Sequence, residues 1–298
     1  VTRLAPFRFP GLIIFFRGIN FRSRGLLNRL YSNCVLQLFS NSNVYPSILW
    51  TDGICVLSPT SHDIDFMNDI DGRKRSDGLK VFNSLSSFLS SNERHDANFD
   101  FTRESLLSSR SVAKLVCSSR LHLQIFRQLR VPFLITDITG WATFGGTDDT
   151  GMNAMKWHID YDRMLEVKLF IYLNDVLPGN GFQYLIKSHR SSLLISDSGT
   201  DDLNSYAGNP NTRIVSYSGV SGTTLLSLNW GVHRDAPPIT LGLAKVVLQI
   251  QLGIEPFGLR HTPHNTNHIH VPSSYDSFEI YRRAAATSSY IFQLFRFL

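Results

Sequence analysis

The sequence predicts an α+β chain that is mainly β: helical segments come first, a series of short strands follows, and the helices lie as a flanking layer on a sandwich, barrel or jelly roll. Three observations carry this. Beyond Pro132, short runs rich in Val, Ile, Leu, Phe and Tyr occupy residues 133–144, 167–173, 181–186, 213–217, 223–230 and 245–252, separated by Gly, Pro, Asn and Asp. Before Pro132, residues 79–91 and 104–129 place apolar side chains such as Leu107, Leu115 and Phe126 at helical spacing, and the second helix is expected to stop ahead of the proline. The chain also holds 21 Phe, 10 Tyr and 4 Trp, enough to fill a β-rich core or line an apolar pocket.

The N-terminus has its own texture. No acidic residue precedes Asp52, while Arg3, Arg8, Arg17, Arg22, Arg24 and Arg29 punctuate an apolar background that includes Leu12, Ile13, Ile14, Phe15 and Phe16. Residues 1–46 therefore form a basic segment, either a helical extension laid over the sheet or a targeting-like leader, and residues 47–298 form the main domain. The leader reading makes mitochondrial localisation the alternative to a cytoplasmic one. Residues 48–57 are expected to pass from a polar turn into a buried strand, and residues 63–78, which are charged, to form a loop.

Composition removes several functions. A net charge of +5, from 29 basic and 24 acidic residues, is too small to argue for nucleic acid. Cys34, Cys55 and Cys117 are scattered, with no CxxC pair, which argues against a disulfide framework and a thiolate zinc site. No apolar run reaches the roughly 18 residues of a membrane span.

The string Trp157-His158-Ile159-Asp160-Tyr161-Asp162 is the centre of the chemistry. In an extended segment, residues i and i+2 face one side, so His158 and Asp160 offer an imidazole nitrogen and a carboxylate oxygen to one ion. Asp162 shares that face, but the spacing to His158 favours Asp160. His233, just after the run ending at Trp230 and before Pro237-Pro238, is placed to be the third ligand. Two His and one carboxylate fill one face of an octahedron and leave three positions open, the arrangement of non-haem Fe(II) oxygenases.

The surroundings of this string resemble the phytanoyl-CoA dioxygenase family of Fe(II)/2-oxoglutarate oxygenases. Trp157-His158-Ile159-Asp160 is similar to the family's metal segment, and Val167 to Val176 to the strand after it. Gly179-Asn180-Gly181-Phe182-Gln183-Tyr184 followed by Lys187-Ser188-His189-Arg190 looks like its turn before a Ser-His-Arg triplet. Gly222 through His233-Arg234 looks like the distal-histidine strand, and Asp52 to Leu57 like the opening strand. The likeness spans roughly residues 48–253 and leaves the first 45 outside.

The resemblance implies a double-stranded β-helix (cupin-type jelly roll) with His158, Asp160 and His233 as metal ligands and as the catalytic triad. It implies Fe(II), with 2-oxoglutarate as a chelating cosubstrate held through its distal carboxylate, and O2 and a small organic substrate as the other reactants. The family usually anchors that carboxylate with an arginine at the start of the last core strand; here Lys245 stands there, without the bidentate fork of arginine. Arg234 and Lys168 are the other basic candidates. Asp160 favours hydroxylation over halogenation, since a halogenase replaces the carboxylate with a small residue. His189 is expected to be a structural turn residue, and His261, His264, His268 and His270 to lie in a polar loop. The rival readings are a non-catalytic jelly-roll binding protein and a cupin-type metalloenzyme that uses no 2-oxoglutarate. Neither the substrate nor the oligomeric state is legible.

Overall fold

The computed structural model describes residues 21–40, 46–57, 98–100, 106, 112, 115–116, 118–130, 133–144, 155–160, 165–190, 200, 203, 213–236 and 244–254. Residues 63–78 and 79–91, Asp162 and the four C-terminal histidines lie outside them.

The longest strands set the frame. β3 (Phe133–Phe144) pairs antiparallel with β9 (Ala244–Ile254) along its whole length, with one irregularity between Ile135 and Asp137. β4 (Glu166–Tyr172) lies on the other side of β9, followed by β7 (Thr224–Leu228) and β1 (Ile54–Leu57), while β2 (Asn98–Asp100) borders β3. The order is β1-β7-β4-β9-β3-β2. A second sheet runs β6-β5-β8, from Ile214–Tyr217, Phe182–Leu185 and His233–Asp235. The chain thus alternates between sheets: β4 in the large one, β5 and β6 in the small one, β7 back, β8 across and β9 back. Two facing antiparallel sheets wound in this way are the double-stranded β-helix that the sequence predicts.

Side-chain alternation decides what each face meets. On β4, Phe170 and Tyr172 turn inwards and pack with Ile54, Leu225 and Val247 against Phe182 and Tyr184 of the small sheet. Val167, Leu169 and Ile171 turn outwards, with Leu226, Leu228, Leu248 and Ile250, into a larger cluster that includes the helices. Tyr172 ties the sheets, donating from Oη to Tyr217 O (2.6 Å) and accepting from Phe182 N (2.9 Å).

The helical layer is α1 (Phe21–Ser40), α2 (Ile48–Asp52) and α3 (Ser119–Leu129). Ser118 caps α3 by accepting from Leu121 N, and Leu121, Ile125, Phe126 and Leu129 form its buried stripe. The helix ends on Arg130 with a left-handed φ of 58°, ahead of Pro132. Residues 48–52, expected to lead as a turn into a strand, are instead a one-turn helix: Gly53, at φ 92°, closes it and donates its N–H to Leu49 O. A Cβ at Gly53 would also lie 2.3 Å from Tyr184 Oη, so only glycine fits.

α1 is joined to the domain by buried polar groups. Asn28 Oδ1 accepts from Leu165 N (3.1 Å), and Ser32 Oγ accepts from Trp230 Nε1 (2.9 Å). Trp230 belongs to the outer cluster, 6.4 Å from the Trp50 ring. No helix among the described residues is long and apolar enough to cross a membrane.

Candidate metal centre

His158 and His233 face each other across a two-residue bridge. His158 N donates to His233 O (2.9 Å), His233 N donates to His158 O (3.0 Å), and the ring centroids are 4.3 Å apart. Asp160 is fixed by the same edge, its N–H donating to Asn229 O (3.0 Å) just beyond the end of β7. The approach to His233 is held from below. Val232 N donates to Ser188 Oγ (2.7 Å), Tyr184 Oη donates to Leu228 O (2.9 Å), and a Cβ on Gly231 would meet Tyr184 Oη at 1.8 Å.

The ring orientations are set by backbone carbonyls. His158 Nδ1 lies 2.7 Å from Lys156 O, and His233 Nδ1 2.8 Å from Gly231 O. A carbonyl only accepts, so each Nδ1 carries hydrogen, and in the neutral ring each Nε2 is left with a lone pair. Burial, then the neighbouring His233, pushes the His158 pKa down to about 4, which keeps its ring neutral near pH 7. Burial acts to raise Asp160, but the Lys168 ammonium beside it outweighs this and holds the carboxyl well below the usual carboxylate range. Asp160 Oδ1 lies 3.5 Å from His158 Nε2, and Oδ2 lies 3.4 Å from His233 Nε2. Three electron-rich atoms, all within 4.8 Å of one another, therefore converge. Such a donor set fits one cation, and two imidazole nitrogens with an ionised carboxylate suit a divalent transition metal.

The basic candidates fall in three places. Lys168 reaches the cluster, its Nζ 2.6 Å from Asp160 Oδ2. Lys245 is 1% exposed, and its ammonium donates to Asp235 Oδ1 (2.6 Å), Asn180 O (3.0 Å) and Ala236 O. Its three protons thus meet three acceptors of the chain itself. Arg234 sits on the opposite side of β8 from His233. It donates from Nε to Gln183 Oε1 (2.6 Å), with its guanidinium 4.6 Å from the centre of the Trp157 ring.

Sequence reasoning missed Asp235, although it lies two residues after His233 and so shares its strand face. Asn229 also joins the cluster: its carboxamide donates from Nδ2 to Asp160 Oδ2 (2.6 Å).

His189 stands apart from this cluster. It is fully buried in a turn of 3-10 helix, Ser188–Arg190, with Nε2 3.0 Å from Trp50 O and Nδ1 without a hydrogen-bond partner. Burial brings its pKa down to about 3. A folded pKa below the unfolded value near 6.5 means that stability is full above pH 6.5 and is lost as the pH falls towards 3, by on the order of several kcal/mol. His158 acts in the same direction. Urea denaturation at pH 7 and pH 4.5 is expected to show this loss, and His189→Gln to reduce it. An unchanged acid limb in a folded His189→Gln protein would refute the assignment.

Fold and cluster together define a jelly-roll protein with a candidate two-histidine, one-carboxylate metal centre. No protein-family model matches the chain, and no curated protein matches it in sequence. Several solved structures are similar in shape. EctD from S. alaskensis with 2-oxoglutarate and 5-hydroxyectoine is 18% identical, with a TM-score of 0.48 over 72% of this chain and 78% of that one. HygX from Streptomyces hygroscopicus, with nickel and 2-oxoglutarate bound, is 16% identical, with a TM-score of 0.45 over 70% and 85%. The non-haem α-ketoglutarate-dependent epimerase SnoN from nogalamycin biosynthesis is 11% identical, with a TM-score of 0.44 over 76% and 88%. Identities this low leave function to be read from the residues of this chain.

Proposed function

We propose that this protein is a non-haem Fe(II)/2-oxoglutarate-dependent dioxygenase that hydroxylates a small organic substrate, with His158, Asp160 and His233 holding the iron. The observation that carries the reading is the convergence of two carbonyl-oriented imidazoles and an ionised carboxylate at the edge where the two sheets meet. With 2-oxoglutarate and O2, iron at this site supplies oxidation of a C–H bond, with succinate and CO2 as co-products.

The chain itself positions and shields. The Nδ1–H bonds aim both Nε2 atoms at one point. The apolar inner layer of Phe170, Phe182 and Tyr184 covers one side of it, and the Phe182 ring stacks on His233 at 5.4 Å. For the distal carboxylate of 2-oxoglutarate we assign Lys245 as the anchor, because it is the buried cation joined through Asp235 to the strand of His233. The incoming carboxylate shares or displaces Asp235 there. Lys168 and Arg234 are the alternatives; Lys168 is the nearer to the cluster.

A second reading, a cupin-type metalloenzyme without 2-oxoglutarate, is favoured by the same ammonium, whose three protons already have acceptors. One experiment separates the two. Anaerobic addition of 2-oxoglutarate to the Fe(II) protein is expected to raise a weak visible charge-transfer band that His233→Ala abolishes. Stoichiometric iron without the band would move the assignment to the second reading.

A further inference from the structure

We propose that Asn229 and Lys168 are positioning residues that hold Asp160 through one oxygen, so that the other alone is offered to the metal. The proposal rests on the metal-centre reading. Two donors meet Asp160 Oδ2, Lys168 Nζ and Asn229 Nδ2, each at 2.6 Å. A carboxylate oxygen has two in-plane lone-pair directions, and these short contacts fill them. Each oxygen is faced by one imidazole, Oδ1 by His158 Nε2 at 3.5 Å and Oδ2 by His233 Nε2 at 3.4 Å, but Oδ1 carries no hydrogen bond from a lysine or amide side chain among the described residues.

The two donors arrive from adjacent strands. Lys168 on β4 pairs with Ser227 on β7, and Asn229 lies two residues beyond Ser227 on the same side. Asn229 grips Asp160 twice, since its backbone carbonyl also accepts the Asp160 N–H. Its own Oδ1 is buried and has no hydrogen-bond partner. An orphaned amide oxygen is a cost, so the orientation of this carboxamide is explained by what Nδ2 does at Asp160. Held in this way, Asp160 is a monodentate ligand, and the open positions opposite the triad are not taken up by its second oxygen.

Lys168 adds charge. The carboxylate and the ammonium sum to zero and an imidazole bound to a metal through Nε2 adds no charge, so a divalent ion arrives with its charge uncompensated. The centre thereby favours an anionic ligand in its open positions.

The test uses Co(II) as both probe and reporter. Metal-free wild-type, Asn229→Leu, Asn229→Gln and Lys168→Met proteins are titrated with Co(II) by calorimetry and by visible absorption. Urea denaturation of the metal-free forms controls for folding. Asn229→Leu is expected to bind about 10–100-fold more weakly, and Asn229→Gln, which keeps the donor, to recover most of that. In Lys168→Met the freed Oδ2 is expected to raise the coordination number and weaken the visible bands. Unchanged affinity and spectra in the variants, with Co(II) bound by the wild type, would overturn the clamp alone. A wild-type protein that binds no Co(II) would overturn the metal centre and the clamp with it.

Discussion

Asp160→Ala is expected to remove the metal and part of the stability together, and a second substitution should separate the two losses. Asp160 is the counter-charge of Lys168, at 2.6 Å and with both side chains 15% exposed. Without it the ammonium is left largely buried and loses its carboxylate. Breaking a buried pair costs about 3–5 kcal/mol, and the residual exposure brings this to roughly 2–3 kcal/mol. Lys168→Met on the Asp160→Ala background removes the stranded charge, so urea denaturation should return to within about 1 kcal/mol of wild type. Succinate formation should not return, because two imidazoles without the carboxylate leave the ligand set incomplete. His158→Ala makes a useful contrast: activity is lost while the Lys168–Asp160 pair survives. Substantial turnover in Asp160→Ala, or recovery of turnover in the double variant, would place the chemistry elsewhere in the chain.

How far the sequence reaches is visible in this same region. The runs at 133–144 and 245–252 fall on β3 and β9, and those at 167–173 and 181–186 fall on β4 and β5, because apolar alternation between turn residues leaves few other choices. The pairing of His158 with Asp160 was legible from strand geometry, and His233 from its place after a strand. What the sequence does not display is tertiary partnership. Ile48-Leu49-Trp50 reads as the turn before a strand, yet a cap at Gly53 and the burial of Leu49 and Trp50 make it a helix. Residues 233–235 are too short and polar to announce a strand, and pairing with β5 makes one. Lys245 reads as a departure from an arginine anchor. That it carries Asp235 depends on a contact between strands, which no local pattern encodes.

That contact supports the other large effect, an asymmetry between its two partners. Lys245 is 1% exposed, whereas Asp235 is 16% exposed. In Lys245→Met an apolar chain of similar length fills the buried space. Asp235 turns to water, and only Asn180 O and Ala236 O lose a donor, for about 1–2 kcal/mol. In Asp235→Ala the ammonium stays buried with two carbonyls and no counter-charge, for roughly 3–5 kcal/mol. Urea denaturation should therefore rank Asp235→Ala well below Lys245→Met. Function should rank them the other way. If Lys245 anchors 2-oxoglutarate, Lys245→Met raises the KM for 2-oxoglutarate sharply in succinate assays. A folded Asp235→Asn protein, its ammonium released from competition, keeps or lowers that KM. A pair that only braces β8 against β9 would give KM changes that follow the stability ranking, and the cosubstrate anchor would then pass to Lys168 or Arg234. Opposite orders in the two assays are the signature of a residue that both closes the sheet and receives a ligand.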